Sequence, residues 1–229
     1  MSVRPFARLA AATAAVAVLA IVTAPIAAGG QARPNGDLLD RAVAAWARVH
    51  TVRATFEQTI VNPLTGGSLH SSGEYQQQRP AKLSVRFDDP AADRVVADGR
   101  HVWLYLPSTT PGQVIRSDQA ATGTGTVDLS AQFLTAPRSR FTVTESAPRT
   151  IAGHATHGYV LVPKSVQGGP FRRAVVQVDD ADAMVREFTV TERSGVERTV
   201  RLTSYRLNVP VDKAAFTFIP PAGMLIVDR

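Results

Sequence analysis

Cysteine is absent from all 229 residues. That excludes disulfides and thiolate metal sites. It also excludes a lipid anchor on this chain, since a lipoprotein signal needs a cysteine to acylate. No Gly-x-Ser-x-Gly elbow occurs, so the common serine-hydrolase signature is missing. Gly123-x-Gly125 has no following Gly-Lys-Ser/Thr and is no phosphate loop. Asp179, Asp180 and Asp182 lack the glycine and distal glutamate of a calcium loop, so an Asp-rich turn is expected there. His154 and His157 are spaced i, i+3 beside a predicted strand and point to opposite faces, which leaves them unable to share a metal. The formal net charge is +6, yet the basic residues are scattered without a long run. A single-sign surface for nucleic acid is therefore not indicated. No cofactor and no metal are expected.

The first residues read as an export signal. Arg4 and Arg8 form a basic start, Leu9 to Ala24 is apolar and uncharged, and small residues fill 27–32. Cleavage is expected after Ala28, with Ala32 as the alternative. The expected organisation is a signal peptide over 1–28 and one domain over 29–229. Pro25 breaks the apolar run, which makes it a poor membrane span.

After the signal, Asp37 is placed to cap a helix and Asp40 sits in its first turn. Leu39, Val43, Trp46 and His50 recur at 4-3-4 spacing, one face of an amphipathic helix. From Val52 the period changes to two. Val52, Ala54 and Phe56 alternate with Arg53, Thr55 and Glu57. Asn62 to Gly67 reads as a turn, and a second strand runs from about Ser68 to Gln78. Arg79-Pro80 ends that strand because proline cannot donate to a ladder. Leu83, Val85 and Phe87 continue the alternation. Asp98-Gly99 joins two apolar runs and predicts a hairpin. Thr122 to Thr126 interrupts the strands, and Asp128 to Leu134 reads as a short helix or turn. Strands resume over 141–145, 159–162, 174–178, 184–191 and 196–207, and Phe216 and Phe218 close the pattern.

The count is about ten or eleven short strands, hairpin-connected and therefore antiparallel. A sheet of that size must curl, because strand twist accumulates. The expected fold class is mainly β: a curved, incompletely closed antiparallel β-barrel with a helical lid or plug. Phe56, Leu83, Val85, Phe87, Trp103 and Tyr105 suit two readings, the packed core of a filled barrel or the wall of a cavity.

Several short motifs occur in a particular order. They are Phe56-Glu57-Gln58, Gly73-Glu74-Tyr75, Arg79-Pro80, Asp98-Gly99-Arg100, Trp103-Leu104-Tyr105 and Phe216-Thr217-Phe218-Ile219-Pro220-Pro221. By these motifs the chain resembles the periplasmic outer-membrane lipoprotein carrier family, LolA. The resemblance implies a carrier without bond chemistry that holds acyl chains in a half-open barrel. It implies a lipid-binding wall made of Trp46, Phe56, Leu83, Val85, Phe87, Trp103, Tyr105, Phe133 and Leu134. It also implies that Arg79 latches the lid backbone when the carrier is empty. Its expected partners are acylated lipoproteins or another lipid, an inner-membrane lipoprotein-releasing transporter and an outer-membrane acceptor. A periplasmic monomer that does not bind nucleic acid is expected. The Gly/Thr-rich segment over 120–126 departs from the best-known carriers. Two other readings are a lipid- or lipoprotein-sensing regulator of the same fold and an enzyme acting on a lipid.

Overall fold

A computed structural model describes residues 37–122, 128–165 and 171–229. The export segment and its cleavage positions lie outside the described residues, as does most of the Gly/Thr-rich segment. Among the described residues no helix is long and apolar enough to cross a membrane.

The described chain begins with helix α1 (Leu38–Ala47). Strands β1 (Thr51–Val61), β2 (Ser68–Gln78), β3 (Lys82–Asp89), β4 (Arg94–Asp98), β5 (His101–Tyr105) and β6 (Gln113–Asp118) follow. Single-turn helices come next: α2 (Gln119–Thr122), α3 (Ala131–Leu134) and α4 (Pro137–Arg140). The second run of strands is β7 (Phe141–Ile151), β8 (His154–Pro163), β9 (Arg173–Asp179), β10 (Val185–Thr191) and β11 (Glu197–Leu207). A 3-10 turn (Lys213–Phe216) and β12 (Leu225–Asp228) complete it.

These strands form one curved 12-stranded sheet in the order β12-β6-β5-β4-β3-β2-β1-β11-β10-β9-β8-β7. Its edges, β12 and β7, are not paired to each other, so the barrel is open. The sheet is mainly β and antiparallel as expected, with two differences. The described residues give twelve strands rather than ten or eleven, and β12 runs parallel to β6. Strand β6 is invisible in sequence because only Val114 and Ile115 are apolar within it. Phe216 and Phe218 do not form a strand. Asp212 caps the 3-10 turn by accepting from the Ala214 N–H at 2.9 Å, and this turn folds the segment back onto the sheet.

Register fixes which side chains share a face, because successive residues alternate. On the inner face, Val52 pairs with Gln77, Ala54 with Tyr75 and Phe56 with Gly73. Tyr75 then pairs with Val85 and Gly73 with Phe87. Helix α1 docks here with Leu38, Leu39, Ala42 and Trp46 buried, and Val49 follows them in just past the helix. His50 is exposed, unlike its sequence expectation, because the helix stops at Ala47 and Val49 takes the inward place. Ten residues make a marginal helix in water, so α1 exists because its apolar face is docked.

The glycine of Gly73-Glu74-Tyr75 has a clear physical role. It lies between Phe56 and Phe87, whose rings meet edge to face over it at 5.4 Å. A Cβ at this position would sit 2.1 Å from the Arg86 carbonyl oxygen. Gly73→Ala is expected to destabilise the fold by about 1–3 kcal/mol through overpacking. Urea denaturation would read this as a lower midpoint, and an unchanged midpoint would contradict the packing described.

Candidate functional site

The inner face is apolar in its middle and polar at one end. Phe56, Leu83, Phe133 and Leu134 are buried in one cluster with Trp46, while Val85, Phe87, Val95 and Leu104 pack at its half-buried margin. Phe133 anchors α3, with its ring 5.0 Å from Phe188 and 5.9 Å from Phe171. Thus α1 and α3 cover the same apolar surface, one from each half of the chain.

Trp103 and Tyr105 lie on the opposite face, which corrects their placement in the inner wall. Ala97 pairs with Val102 and Val95 with Leu104, so these put Val102 and Leu104 inward. Trp103 and Tyr105 instead receive Phe218, with ring separations of 5.7 and 5.8 Å. Val96, Val114 and Phe216 are buried, and Val96 pairs with Trp103 across the strands. Strand β5 is apolar on both faces from Val102 to Tyr105 because both faces are covered. Its alternation alone could not say which residues turn inward.

At the polar end, Arg79 joins three parts of the chain. Its Nη1 donates to the carbonyls of Trp46 at 2.8 Å and Val49 at 2.9 Å. Its Nε donates to Asp128 Oδ2 at 2.9 Å. The guanidinium also sits 5.2 Å from the centre of the Trp46 ring. Arginine suits this position because its planar fork supplies several donors in a fixed arrangement. The Trp46 carbonyl also accepts from the Val49 N–H at 3.0 Å, and positive charge is favoured at this C-terminal end of α1. Asp128 Oδ1 accepts from the Ala131 N–H at 2.8 Å and so ties the same ion pair to the start of α3. In sequence Asp128 reads only as the start of a short helix. Its ion pair spans 49 residues, and no local pattern announces it.

Next to Arg79 on the inner face of β2 come Gln77 and Tyr75. The Tyr75 hydroxyl donates to Gln77 Oε1 at 2.7 Å. Burial pushes the Tyr75 pKa well above the ordinary phenol value, and the negative charge of Asp128 pushes the same way. Tyr75 therefore stays a neutral donor. Tyr205, which flanks Ala54 from the other side, is also pushed up by burial, and Arg186 lies 5.3 Å from its ring.

The N-terminal end of α1 has its own clamp. Asp37 accepts from the Leu39 N–H at 3.2 Å and from the Tyr159 hydroxyl at 2.7 Å, and Arg138 of α4 pairs with its other oxygen. Burial pushes the Asp37 carboxyl up, but these donors outweigh it and hold its pKa below the usual value. The same balance lowers Asp98, whose carboxylate receives the His101 and Arg100 N–H groups and the Trp103 indole. A depressed folded-state pKa stabilises the fold above the unfolded value and loses that contribution as pH falls through the folded value. The thermal midpoint is therefore expected to hold from pH 7 to about 5 and to fall below about pH 4. Asp37→Asn is expected to flatten part of that acid limb. Identical acid limbs in variant and wild type would remove the α1 clamp from the account.

Among the described residues no three His, Cys, Asp or Glu side chains converge as metal ligands. His154 and His157 each face a separate carboxylate, Asp179 and Asp180. The outer face carries a groove of about 230 Å³ lined by Arg53, Thr55, Glu74, Gln76, Ser204 and Arg206. Its polar walls do not suit an acyl chain.

The family model described as outer membrane lipoprotein carrier protein LolA matches residues 47–219. The chain is similar to the outer-membrane lipoprotein carrier protein of Proteus mirabilis, with 25% identity over 184 residues, 80% of this chain and 84% of that protein. It is similar to the Vibrio vulnificus protein of the same name, with 26% identity over 77% of this chain and 82% of that one. The crystal structure of an uncharacterized conserved protein from Thermus thermophilus shares the fold. Its TM-score is 0.53 at 13% identity, covering 84% of this chain and 97% of that one.

Proposed function

The chain belongs to the outer membrane lipoprotein carrier (LolA) family, and from that premise we propose that it is a periplasmic carrier of acylated lipoproteins. It binds their acyl chains on the inner face and moves them from the inner toward the outer membrane. It is a binding protein, not an enzyme. The observation that carries this reading is the Arg79 clasp over an apolar surface. Burying acyl methylenes there contributes about 0.8 kcal/mol each. Such a surface recognises chain volume, so the lid must supply the control over entry and release.

In the closed state α1 and α3 occupy the apolar surface themselves, and an acyl chain enters by lifting them from the sheet, so that it lies between the sheet and the two helices. Trp46, Phe56, Leu83, Val85, Phe87, Phe133 and Leu134 form the wall that the chain meets, and Arg79 is the latch that displacement breaks. A transporter that releases lipoproteins from the inner membrane loads the carrier, and an outer-membrane acceptor empties it.

The test is a release assay. Liposomes bearing an acylated lipoprotein and its releasing transporter are incubated with the purified protein. A soluble complex with the acylated form, absent with a cysteine-substituted form that cannot be acylated, is the expected result. Equal recovery of both forms, or of neither, would overturn the carrier reading.

A further inference from the structure

Two side-chain N–H groups of the inner face have no acceptor. Trp46 Nε1 and Gln77 Nε2 are both buried without a partner among the described residues. Trp46 is 4% exposed and Gln77 is 0% exposed. Such orphans are uncommon, because a buried donor gives up its water and gains nothing in return. They are also close in the fold. Gln77 lies near the end of β2, two residues before Arg79, and the Arg79 guanidinium sits over the Trp46 ring. The other end of the Gln77 amide, its Oε1, accepts from the Tyr75 hydroxyl at 2.7 Å, which leaves the Nε2 end free.

We infer that Trp46 Nε1 and Gln77 Nε2 read the carbonyl oxygen of an ester- or amide-linked acyl chain. The inference rests on the carrier reading above and adds a chemical specificity to it. Both orphans donate and neither accepts in this arrangement, so their partner must be an acceptor. The apolar surface beyond them fixes what that acceptor is attached to. From Gln77 to Gly73, where Phe56 and Phe87 meet, is about 13 Å along β2 at roughly 3.3 Å per residue. A chain bound with its carbonyl at Gln77 lays its first methylenes along that apolar stretch. Bare hydrocarbon would fill the same surface and leave both donors unpaired. Besides the Tyr205 hydroxyl, which can donate or accept, the closed state thus carries two unpaired N–H donors that a correct cargo satisfies.

The test compares two probes with the same chains, dioleoylglycerol and its dialkyl ether analogue, by competition for a bound fluorescent probe. The ester has carbonyls and the ether has none. Wild type is expected to bind the ester roughly tenfold more tightly. The ester-to-ether ratio is expected to fall in Gln77→Leu and in Trp46→Phe, read independently, and to approach equality in the double variant. Because both probes meet the same apolar wall, a merely structural role for either residue would leave the ratio unchanged. Equal binding of ester and ether by wild type overturns the inference and leaves the carrier reading standing. A ratio that neither variant alters also overturns it. Failure of both probes to bind removes the carrier reading and this inference with it.

Discussion

Arg79→Leu is expected to hold an acylated lipoprotein about 10- to 100-fold longer than wild type and to slow its transfer to an acceptor membrane. The effect is a shift of population. Arg79 bonds the Trp46 and Val49 carbonyls and the Asp128 carboxylate in the closed arrangement. A hydrogen bond to a charged group contributes about 1.5–3 kcal/mol, which is that 10- to 100-fold range. Removing it raises the closed state alone if the bonds are absent from the loaded one. The substitution also leaves Asp128, itself 4% exposed, without its cation. Breaking a fully buried pair from one side costs about 3–5 kcal/mol, and this pair, with the Arg79 side chain 26% exposed, costs less. The double variant Arg79→Leu, Asp128→Asn is therefore expected to recover stability while keeping the slow release. Dissociation rates of a bound lipoprotein, measured at matched thermal stability, decide the matter. Equal rates in wild type and both variants would leave Arg79 as a structural strand-end arginine.

Phe133→Ala is expected to give the largest loss of stability, about 3–5 kcal/mol. Phe133 is fully buried and its ring meets Phe188 and Phe171. For a domain of this size each kilocalorie lowers the thermal midpoint by about 2–4 °C, so a fall of roughly 10 °C is expected. The functional consequence follows from position. Phe133 anchors α3, and α3 begins at the segment that holds Asp128 against Arg79. The loosened variant is expected to bind a fluorescent fatty acid faster, since α3 no longer competes as well for the inner face. A loss of less than about 1 kcal/mol would mean that α3 is not docked as described.

The parts legible in sequence are those set by local chemistry. The period change at Val52, the Asp37 cap and the Asp98-Gly99 hairpin each depend on residues a few positions apart. Gly73, Tyr75 and Arg79 stand out as motif residues for the same reason, and β2 brings them together. What stays hidden depends on long-range register. Trp103 and Tyr105 sit in a strand apolar on both sides, and only pairing with β4 and the return of Phe218 fixes their face. Strand β12 is four residues long and finds β6 across 112 residues of chain. Gln77 gives no sequence signal, since a glutamine in an alternating strand reads as solvent-facing. It becomes informative only when it proves fully buried on the inner face, between Val52 and Leu83.

The central claim is that cargo lies on the inner face under α1 and α3. Site-specific photocrosslinking tests it most directly, with p-benzoyl-phenylalanine replacing Phe87 on the inner face or Tyr105 on the outer. After loading with an acylated lipoprotein and irradiation, mass spectrometry of the adduct locates the acyl chain. An acyl adduct at position 87 and none at position 105 is the predicted result. An adduct at 105 with none at 87 would contradict the account.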